Sequence, residues 1–366
     1  MKYEDSAFIG LDIGGQSVKG QRLEADGSVS RRARLATPVG SGAGAVLAVV
    51  RDVIAELDAG RGTRIAAVGA GTPGGVDSCG RIAGEVANIP GWLGTQLRDA
   101  IEEAAGAPAV VRNDGNMAAF GEWAARGGAS RALLFVGLGT GIGGGFVEDG
   151  RILSGVDDRA LEIGHIVVYP GGRTCACGRS GCVEAYSSGP SIARIAIDLA
   201  LGRDRGLVLG ETEGGAGPGA WEDSPLARAI RGGGAADAPA VYAAFARGDA
   251  LARRVHALAA DALARAVASA CALLAPDRIV FGGGVLEGAE AIIADVAALV
   301  PRYVFDAAYR DCRFERALLG PRAGLYGAAL FGASSILVRE ELLSLAVAAA
   351  SACPDSLALG GTSSYT

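Results

Sequence analysis

Histidine and aromatic residues are scarce in this chain. Of 366 residues only 2 are histidine and 5% are aromatic, so a core must be packed mainly with Ala, Val, Leu and Ile. No uninterrupted apolar run reaches the roughly 18 residues of a membrane helix, and the N-terminus lacks the apolar segment of a secretory signal. The net charge of −6 comes without a basic stripe, which argues against nucleic acid as a partner. These absences predict a cytoplasmic protein with reduced thiols that binds neither membrane nor nucleic acid.

Potential metal ligands are concentrated in one segment, Glu162–Glu184, with the sequence EIGHIVVYPGGRTCACGRSGCVE. His165, Cys175, Cys177 and Cys182 offer one imidazole and three thiolates, a closed four-ligand set of the kind that structural zinc prefers. Because such a site leaves no position for water, we expect the metal to hold a loop rather than take part in chemistry. The alternative is a loop with incidental thiols, which the density of ligands around the histidine disfavours.

A pattern of strand, glycine turn and hairpin occurs twice along the chain. A predicted strand over Ala7–Ile13 leads through a glycine turn to Val18–Leu23. In the second half, Leu133–Gly137 leads through a glycine run to a hairpin over Phe146–Leu153. The repetition and the chain length predict an α/β protein built from two related lobes.

Helical periodicity and composition place the remaining elements. Helices are predicted over Ala43–Asp58, Leu93–Ala105, Gly115–Arg126, Ala250–Ala275 and about 325–340, and a surface loop over Gly202–Asp237. The predicted domains are a first lobe over 1–113 with the helix at about 325–340, a second lobe over 114–324, and a loose tail over 341–366.

One glycine motif is misleading. Gly139, Gly141 and Gly144 satisfy G-x-G-x-x-G, but the dinucleotide fingerprint requires a helix directly after the glycines. Here the hairpin sequence beginning at Phe146 follows, so we exclude a Rossmann domain.

Three glycine turns remain as candidates for binding phosphate. They lie at Asp12–Gly15, Gly137–Gly145 and Gly282–Gly284, and turns of this kind can point several N–H groups at one anion. Taken alone, each turn is explained at least as well by ordinary chain reversal. Their corresponding positions in the two halves favour a nucleotide held between the lobes.

Together these segments resemble the ROK family of sugar kinases, within the hexokinase–actin-like ATP-binding superfamily, over roughly Phe8–Gly332. The matching blocks are Asp12–Gly15, Asn88–Trp92, Asn113–Glu122, Gly137–Gly145, Glu162–Glu184 and Phe281–Val285. The Glu162–Glu184 block is the specific one. The resemblance implies two ribonuclease H-like (actin-like ATPase) lobes with an interlobe cleft, the use of ATP and Mg²⁺, and a homodimer.

The resemblance also implies the roles of individual residues. Asp114 would be the general base that accepts a proton from a hexose primary hydroxyl as this oxygen attacks the γ-phosphate of ATP. His165 would ligate zinc through one ring nitrogen and face the sugar with the other side of the ring. The implied sugar-binding residues are Gly74, Gly75, Asn88, Asn113, Asp114, Glu162, His165 and Glu184. From the residues alone, a helix N-cap is the favoured interpretation of Asp114, and Glu162 and His165 could be a pair on a helix face.

The nucleotide site is implied in the same way. Asp12 would help to hold Mg²⁺ through water, because hard cations prefer oxygen ligands. The implied nucleotide-binding residues are Asp12, Gly14, Gly15, Gln16, Gly139, Thr140, Gly141, Gly283 and Gly284. Gln16 departs from the family pattern, which usually has Thr there, so its phosphate contact does not carry over directly.

Phosphorylation of glucose to glucose 6-phosphate is the reaction that we favour. The alternatives are N-acetylmannosamine, N-acetylglucosamine, fructose or allose as substrate, and, in another class, a non-catalytic sugar-sensing ROK protein. Sugar-responsive repressors of the family carry an N-terminal helix-turn-helix domain. We expect none here, because the kinase-like core begins by Phe8.

Overall fold

The computed structural model describes most of the chain and forms two compact units. It describes all residues except 1–4, 39, 61, 85, 87–88, 204–220, 222 and 353–366. The first unit takes in the described residues of Met1–Phe135, Gly144–Leu161 and Ala317–Ser363, and the second those of Val136–Gly143 and Glu162–Arg316. Asn88, a predicted sugar ligand, lies outside the described residues.

Strands and helices alternate along the described residues. The strands are β1 (Ser6–Ile13), β2 (Ser17–Glu24), β3 (Val29–Ala36), β4 (Arg64–Thr72), β5 (Ala109–Asn113), β6 (Ala132–Leu138), β7 (Ile142–Glu148), β8 (Arg151–Ile152), β9 (Arg278–Gly282) and β10 (Arg313–Arg316). The helices are α1 (Ala43–Asp58), α2 (Leu97–Ala105), α3 (Asp114–Ala125), α4 (Glu184–Ser187), α5 (Gly189–Ala200), α6 (Pro225–Arg231), α7 (Ala238–Ala246), α8 (Ala250–Leu274), α9 (Ala291–Leu299), α10 (Ala323–Ser334) and α11 (Arg339–Ser351).

Two five-stranded sheets share one strand order, which confirms the predicted α/β fold with an internal repeat. The first sheet has the order β3-β2-β1-β4-β5 and the second the order β8-β7-β6-β9-β10. In the first sheet β1 pairs antiparallel with β2 and parallel with β4. Strands β6 and β7 carry residues of both units. The glycine turn after β1 therefore corresponds to the glycine turn after β6.

Glycines allow α10 to pack very closely in the first unit. A Cβ added to Gly69 in β4 would lie 1.8 Å from the Ala328 carbonyl oxygen. A Cβ added to Gly327 would lie 1.7 Å from the Met117 carbonyl oxygen of α3. These separations are far below van der Waals contact, so the helix backbone occupies the space that a side chain would need. The packing fixes α3, which carries Asp114, against α10.

We therefore predict that Gly327→Ala lowers the free energy of unfolding by about 1–3 kcal/mol or more, because the methyl group cannot enter without shifting α3. Gly324→Ala is the matched control in the same helix, since no atom of the described part of the chain lies within 4 Å of its added Cβ. It should be neutral or stabilising by up to about 1 kcal/mol. Urea denaturation of both variants measures the difference, and equal stabilities would contradict the packing argument.

The C-terminal segment differs from the prediction. A single helix at about 325–340 and a loose tail from 341 were expected, but α10 ends at Ser334 and a further helix, α11, spans Arg339–Ser351. Leu342 and Leu345 are buried, and α11 packs against α3 and α10. The loose-tail prediction is thus wrong for the residues of α11, and residues 353–366 lie outside the described residues.

Helix α3 belongs to the first unit, whereas the sequence placed residues from 114 onward in the second lobe. The reason is packing, because α3 lies along α10. The buried Glu122 of α3 also accepts hydrogen bonds from the amides of Leu318 and Leu319, both at 2.9 Å.

The predicted loop over Gly202–Asp237 also contains structure, since α6 begins there with its Ser224 side chain as N-cap. Residues 204–220 and 222 of that segment lie outside the described residues.

Helix α8 is the core helix of the second unit. By length and composition it could cross a membrane, but 67% of its most apolar stretch is buried inside the protein. It packs against α4, α5, α7 and α9, and the Asp249 side chain caps its N-terminus. Its apolar character is therefore explained by core packing.

Candidate active site

The proposed general base begins helix α3 in the first unit. Asn113, not Asp114, is the N-cap, because its Oδ1 accepts hydrogen bonds from the amides of Gly115 at 2.9 Å and Asn116 at 3.4 Å. Asp114 is the first helical residue, and its side chain is exposed. The interpretation of Asp114 as the N-cap is therefore wrong. A carboxylate at this position is stabilised by the positive end of the helix dipole.

Part of the predicted sugar-binding wall comes together around Asn113. The Nδ2 group of Asn113 donates to the Gly74 carbonyl at 3.4 Å. Gly74 has a φ of 85°, a backbone conformation that favours glycine. The Gly75 carbonyl accepts from the Ala83 amide at 2.9 Å, which holds the loop after β4. Gly74, Gly75 and Asn113 are thus neighbours in the first unit.

The first glycine turn connects β1 and β2. Its Gly14 amide donates to the Ser17 carbonyl at 3.0 Å, and the Thr37 hydroxyl donates to the Gly14 carbonyl at 2.6 Å. Gln16 is exposed. Asp12, at the end of β1, forms an ion pair with Lys19 at 2.8 Å. Sequence reasoning missed Lys19, although the hairpin register pairs Asp12 with Lys19 across the strands.

The second glycine turn is joined to Glu184 within the second unit. The Ile142 amide donates to Glu184 Oε2 at 2.9 Å, and a Cβ on Gly141 would lie 2.6 Å from the same oxygen. The Gly139 amide donates to the Gly141 carbonyl at 2.9 Å, which closes the turn around the exposed Thr140. A predicted sugar ligand and a predicted phosphate turn therefore share a direct hydrogen bond.

Gly283 lies against the strand that enters this turn. Its φ is 94°, and an added Cβ would lie 2.3 Å from the Leu138 carbonyl oxygen. Among the described residues, no atom lies within 4 Å of a Cβ added to Gly284. The close approach at Gly283 therefore requires glycine, whereas the described residues leave space for a side chain at Gly284.

The four predicted zinc ligands converge in the second unit. The ligand atoms of His165, Cys175, Cys177 and Cys182 all lie within 4.8 Å of one another. The sulfurs of Cys177 and Cys182 are 3.8 Å apart, and Cys175 Sγ is 3.7 Å from His165 Nδ1. Two sulfurs bound tetrahedrally to one zinc at about 2.3 Å would be about 3.8 Å apart, so the donor set fits this metal.

The thiols of this cluster differ in acidity. Burial raises the pKa of Cys175 to about 12 and also raises the pKa of Cys182. The backbone N–H of Arg179 lowers the pKa of Cys177, which is exposed. Glu184 Oε1 lies 3.6 Å from Cys175 Sγ, so its carboxylate joins the cluster to the glycine turn.

A polar cluster on α8 holds the start of the zinc loop. Tyr169 and Tyr303 both donate their hydroxyls to Asp261, which also pairs with Arg265 at 2.9 Å. The Arg265 guanidinium lies 4.9 Å from the Tyr169 ring centroid and 4.3 Å from that of Tyr303. Burial opposes the Asp261 charge, but these donors outweigh it and hold the pKa of Asp261 below its usual value. The loop is thus anchored to the core helix independently of any metal.

A model of the ROK family matches residues 8–334. The chain belongs to the ROK family. It is 32% identical to a glucokinase from Halalkalibacterium halodurans over 88% of this chain and 94% of the relative. It is also 32% identical to a kanosamine kinase from Amycolatopsis mediterranei over 87% and 94% of the two chains.

A solved ROK structure is similar in fold. The ROK family glucokinase from Streptomyces griseus, in complex with glucose and AMPPNP, superposes with a TM-score of 0.70 at 27% identity. The match covers 89% of this chain and 99% of the other. The fold of this ROK protein is therefore that of ROK hexokinases, in agreement with the predicted actin-like ATPase fold.

Proposed function

We propose that this protein is an ATP-dependent sugar kinase that phosphorylates the primary hydroxyl of a hexose, with glucose as the favoured substrate. The observation that carries the proposal is the Asp114 carboxylate, which is exposed at the first position of α3 while Asn113 performs the capping. Curated relatives with kinase names, each covering more than four fifths of the chain, support the reaction class.

Asp114 accepts the proton of the primary hydroxyl as this oxygen attacks the γ-phosphorus of ATP. The new oxygen–phosphorus bond forms while the bond to the β–γ bridging oxygen breaks, so ADP carries away the negative charge. Such a transfer needs mainly positioning and charge stabilisation, which one aimed carboxylate and a phosphate-binding turn can supply.

Asp12 would help to hold Mg²⁺ through water, because hard cations prefer oxygen ligands. When bound, Mg²⁺ neutralises charge on the transferred phosphate oxygens. Lys19, paired with Asp12 at 2.8 Å, adds a positive charge beside the same carboxylate. The proposed nucleotide-binding groups are the turns at Gly14–Gln16 and Gly139–Gly141, together with Gly283 and Gly284.

The proposed sugar ligands are Glu162, His165, Glu184, Asn113, Gly74, Gly75 and Asn88. Carboxylates, amides and an imidazole suit a hexose, whose hydroxyls both donate and accept hydrogen bonds. Structural zinc on His165 Nδ1 and the three cysteines would fix the imidazole and leave Nε2 for a sugar hydroxyl. A homodimer in the cytoplasm remains a prediction of the sequence.

An amino sugar is the second candidate substrate, because the kanosamine kinase is as similar in sequence as the glucokinase. Steady-state kinetics with ATP and Mg²⁺ across glucose, kanosamine, N-acetylmannosamine, N-acetylglucosamine, fructose and allose would decide between them. We expect kcat/KM to be highest for glucose. A higher value for another sugar would reassign the substrate, and sugar binding without ADP formation from any of them would indicate a sugar sensor instead.

A further inference from the structure

A strained segment precedes the zinc loop in the sequence and belongs to the first unit. Within Gly155–Leu161, φ is 52° at Asp157, 53° at Asp158 and 62° at Leu161. Left-handed backbone costs a non-glycine residue about 1–2 kcal/mol, and a leucine has no side-chain hydrogen bond that compensates for it. Such strain persists only where surrounding contacts impose the conformation, and it is concentrated at functional sites.

The contacts that hold this segment are made to the proposed sugar-binding wall. The Asp157 carbonyl accepts from the Val76 amide at 2.9 Å, directly after Gly75. A Cβ on Gly75 would lie 2.9 Å from Arg159 Cγ, so this side chain covers the glycine. Asp158 Oδ2 accepts from the Asn113 amide at 3.0 Å. The segment thus holds both parts of the wall, the loop after β4 and the end of β5.

Asp158 carries the most unusual of these contacts. Its carboxylate is 1% exposed, and the Arg112 guanidinium lies 3.9 Å from Oδ1. Oδ1 has no hydrogen-bond partner among the described residues. Burial raises the pKa of Asp158, with the Arg112 charge and the Asn113 amide opposing the shift. A buried carboxylate with one unsatisfied oxygen is costly for stability, so stability alone does not account for it.

The Asn113 amide is the donor that Asp158 binds, and Asn113 is followed directly by Asp114. Asn113 must remain in an extended conformation, with φ −60° and ψ 143°, to cap α3 through its side chain. The hydrogen bond to its amide fixes the peptide between Arg112 and Asn113, which lies directly before the cap and one residue before the general base. Displacement of a reacting group by about 1 Å can cost a factor of about 10² in rate.

We propose that Asp158 is a positioning residue for catalysis, which fixes the Asn113 peptide and through it the Asp114 carboxylate. This inference rests on the proposed kinase function. The strained backbone of residues 157–161 then serves to place the Asp158 carboxylate against the Asn113 amide, directly before α3.

Three substitutions of Asp158 test the proposal. Asp158→Ala removes the acceptor and keeps the strained backbone. We expect it to lower kcat for the sugar kinase reaction by about 10²-fold, with less than a threefold change in KM for ATP. Asp158→Asn keeps an oxygen acceptor and should recover most of the lost kcat. Asp158→Gly removes the acceptor and relieves the strain, so it should unfold at or above the wild-type temperature and yet remain as slow as the alanine variant.

The glycine variant separates positioning from stability. If Asp158→Gly has wild-type kcat, or if Asp158→Ala loses no activity, the proposal is wrong. Asp149 is the matched control, since it is left-handed with φ 51° and lies in the exposed turn between β7 and β8. Asp149→Ala and Asp149→Gly should change stability alone. A wild-type protein that phosphorylates no sugar would refute the proposed function instead, a result distinct from any outcome among the variants.

Discussion

Asp114→Asn is expected to lower kcat by about 10²–10⁴-fold, the range that a positioned general base contributes. The amide keeps the shape of the carboxylate and its place at the start of α3, but it cannot accept the hydroxyl proton. Asn113 caps the helix, and the amide oxygen of the new side chain keeps the acceptor for the Gly115 N–H, which donates to Asp114 Oδ1 at 2.8 Å. The loss of the Asp114 charge should therefore change the free energy of unfolding by the helix-dipole contribution, about 0.3–1 kcal/mol. Steady-state ADP release and thermal unfolding measure the two effects.

Asp99→Asn is the matched control for this variant. Asp99 is also an exposed aspartate in the first turn of a helix, α2, but no proposed substrate-binding residue contacts it through the described hydrogen bonds and ion pairs. Its substitution should leave kcat unchanged and alter stability to a similar small extent. Wild-type turnover in Asp114→Asn would refute the assignment of the general base.

Removal of the metal is expected to have the second large effect. A chelator, or Cys177→Ser, should release one zinc ion per chain and raise KM for the sugar by about 10–100-fold, the usual cost of disturbing the surroundings of a metal site. The Nδ1 atom of the proposed sugar ligand His165 lies 3.7 Å from Cys175 Sγ, so both could bind the same ion. Without that ion, the imidazole ring would lose the ligand that orients it. The effect on kcat should be smaller, since Asp114 is not part of this cluster.

Cys79→Ser is the control for the metal experiment, because Cys79 is an exposed thiol outside the cluster. It should keep the metal, the melting temperature and KM. Zinc content by elemental analysis, together with sugar titrations, checks both variants. Full sugar affinity in a metal-free preparation would contradict the structural-zinc assignment. The hydrogen bond from Tyr169 to Asp261 does not depend on the metal, so we expect the zinc loop to remain partly folded without zinc.

Hydrophobic periodicity was sufficient to predict some helices and strands from the sequence, but not others. The predicted helix over Ala43–Asp58 has those bounds in the structure, because one face is apolar and the other is charged. Strand β3, with the sequence VSRRARLA, was missed, since arginines at an exposed sheet edge conceal the strand pattern. The length of α10 was misjudged because it is buried on most sides, so its sequence shows no amphipathic period.

Local capping signals would have improved the interpretation of the segment Gly202–Asp237. Ser224 followed by Pro225 caps α6, and Asp237 followed closely by Pro239 caps α7. A polar cap with proline in the first turn is a common start of a helix. Glycine and alanine content outweighed these signals in the sequence interpretation.

The site was predictable where its residues lie close in sequence. The four potential metal ligands all lie within His165–Cys182, so their types and spacing were sufficient to predict that their side chains converge. Lys19 and Asp158 were missed because their contacts depend on strand register and on a left-handed turn. Asp158 lies 45 positions from Asn113 in the sequence, and no short motif connects them.

We have proposed that this protein transfers the γ-phosphoryl group of ATP to a sugar primary hydroxyl. The most direct measurement is phosphorus NMR of a reaction containing the protein, ATP, Mg²⁺ and the sugar with the highest kcat/KM. We predict one sugar phosphate, with its phosphorus coupled to the two protons of a methylene group and formed in equal amount to ADP. ADP accompanied only by inorganic phosphate, or phosphate on a ring hydroxyl, would contradict the account.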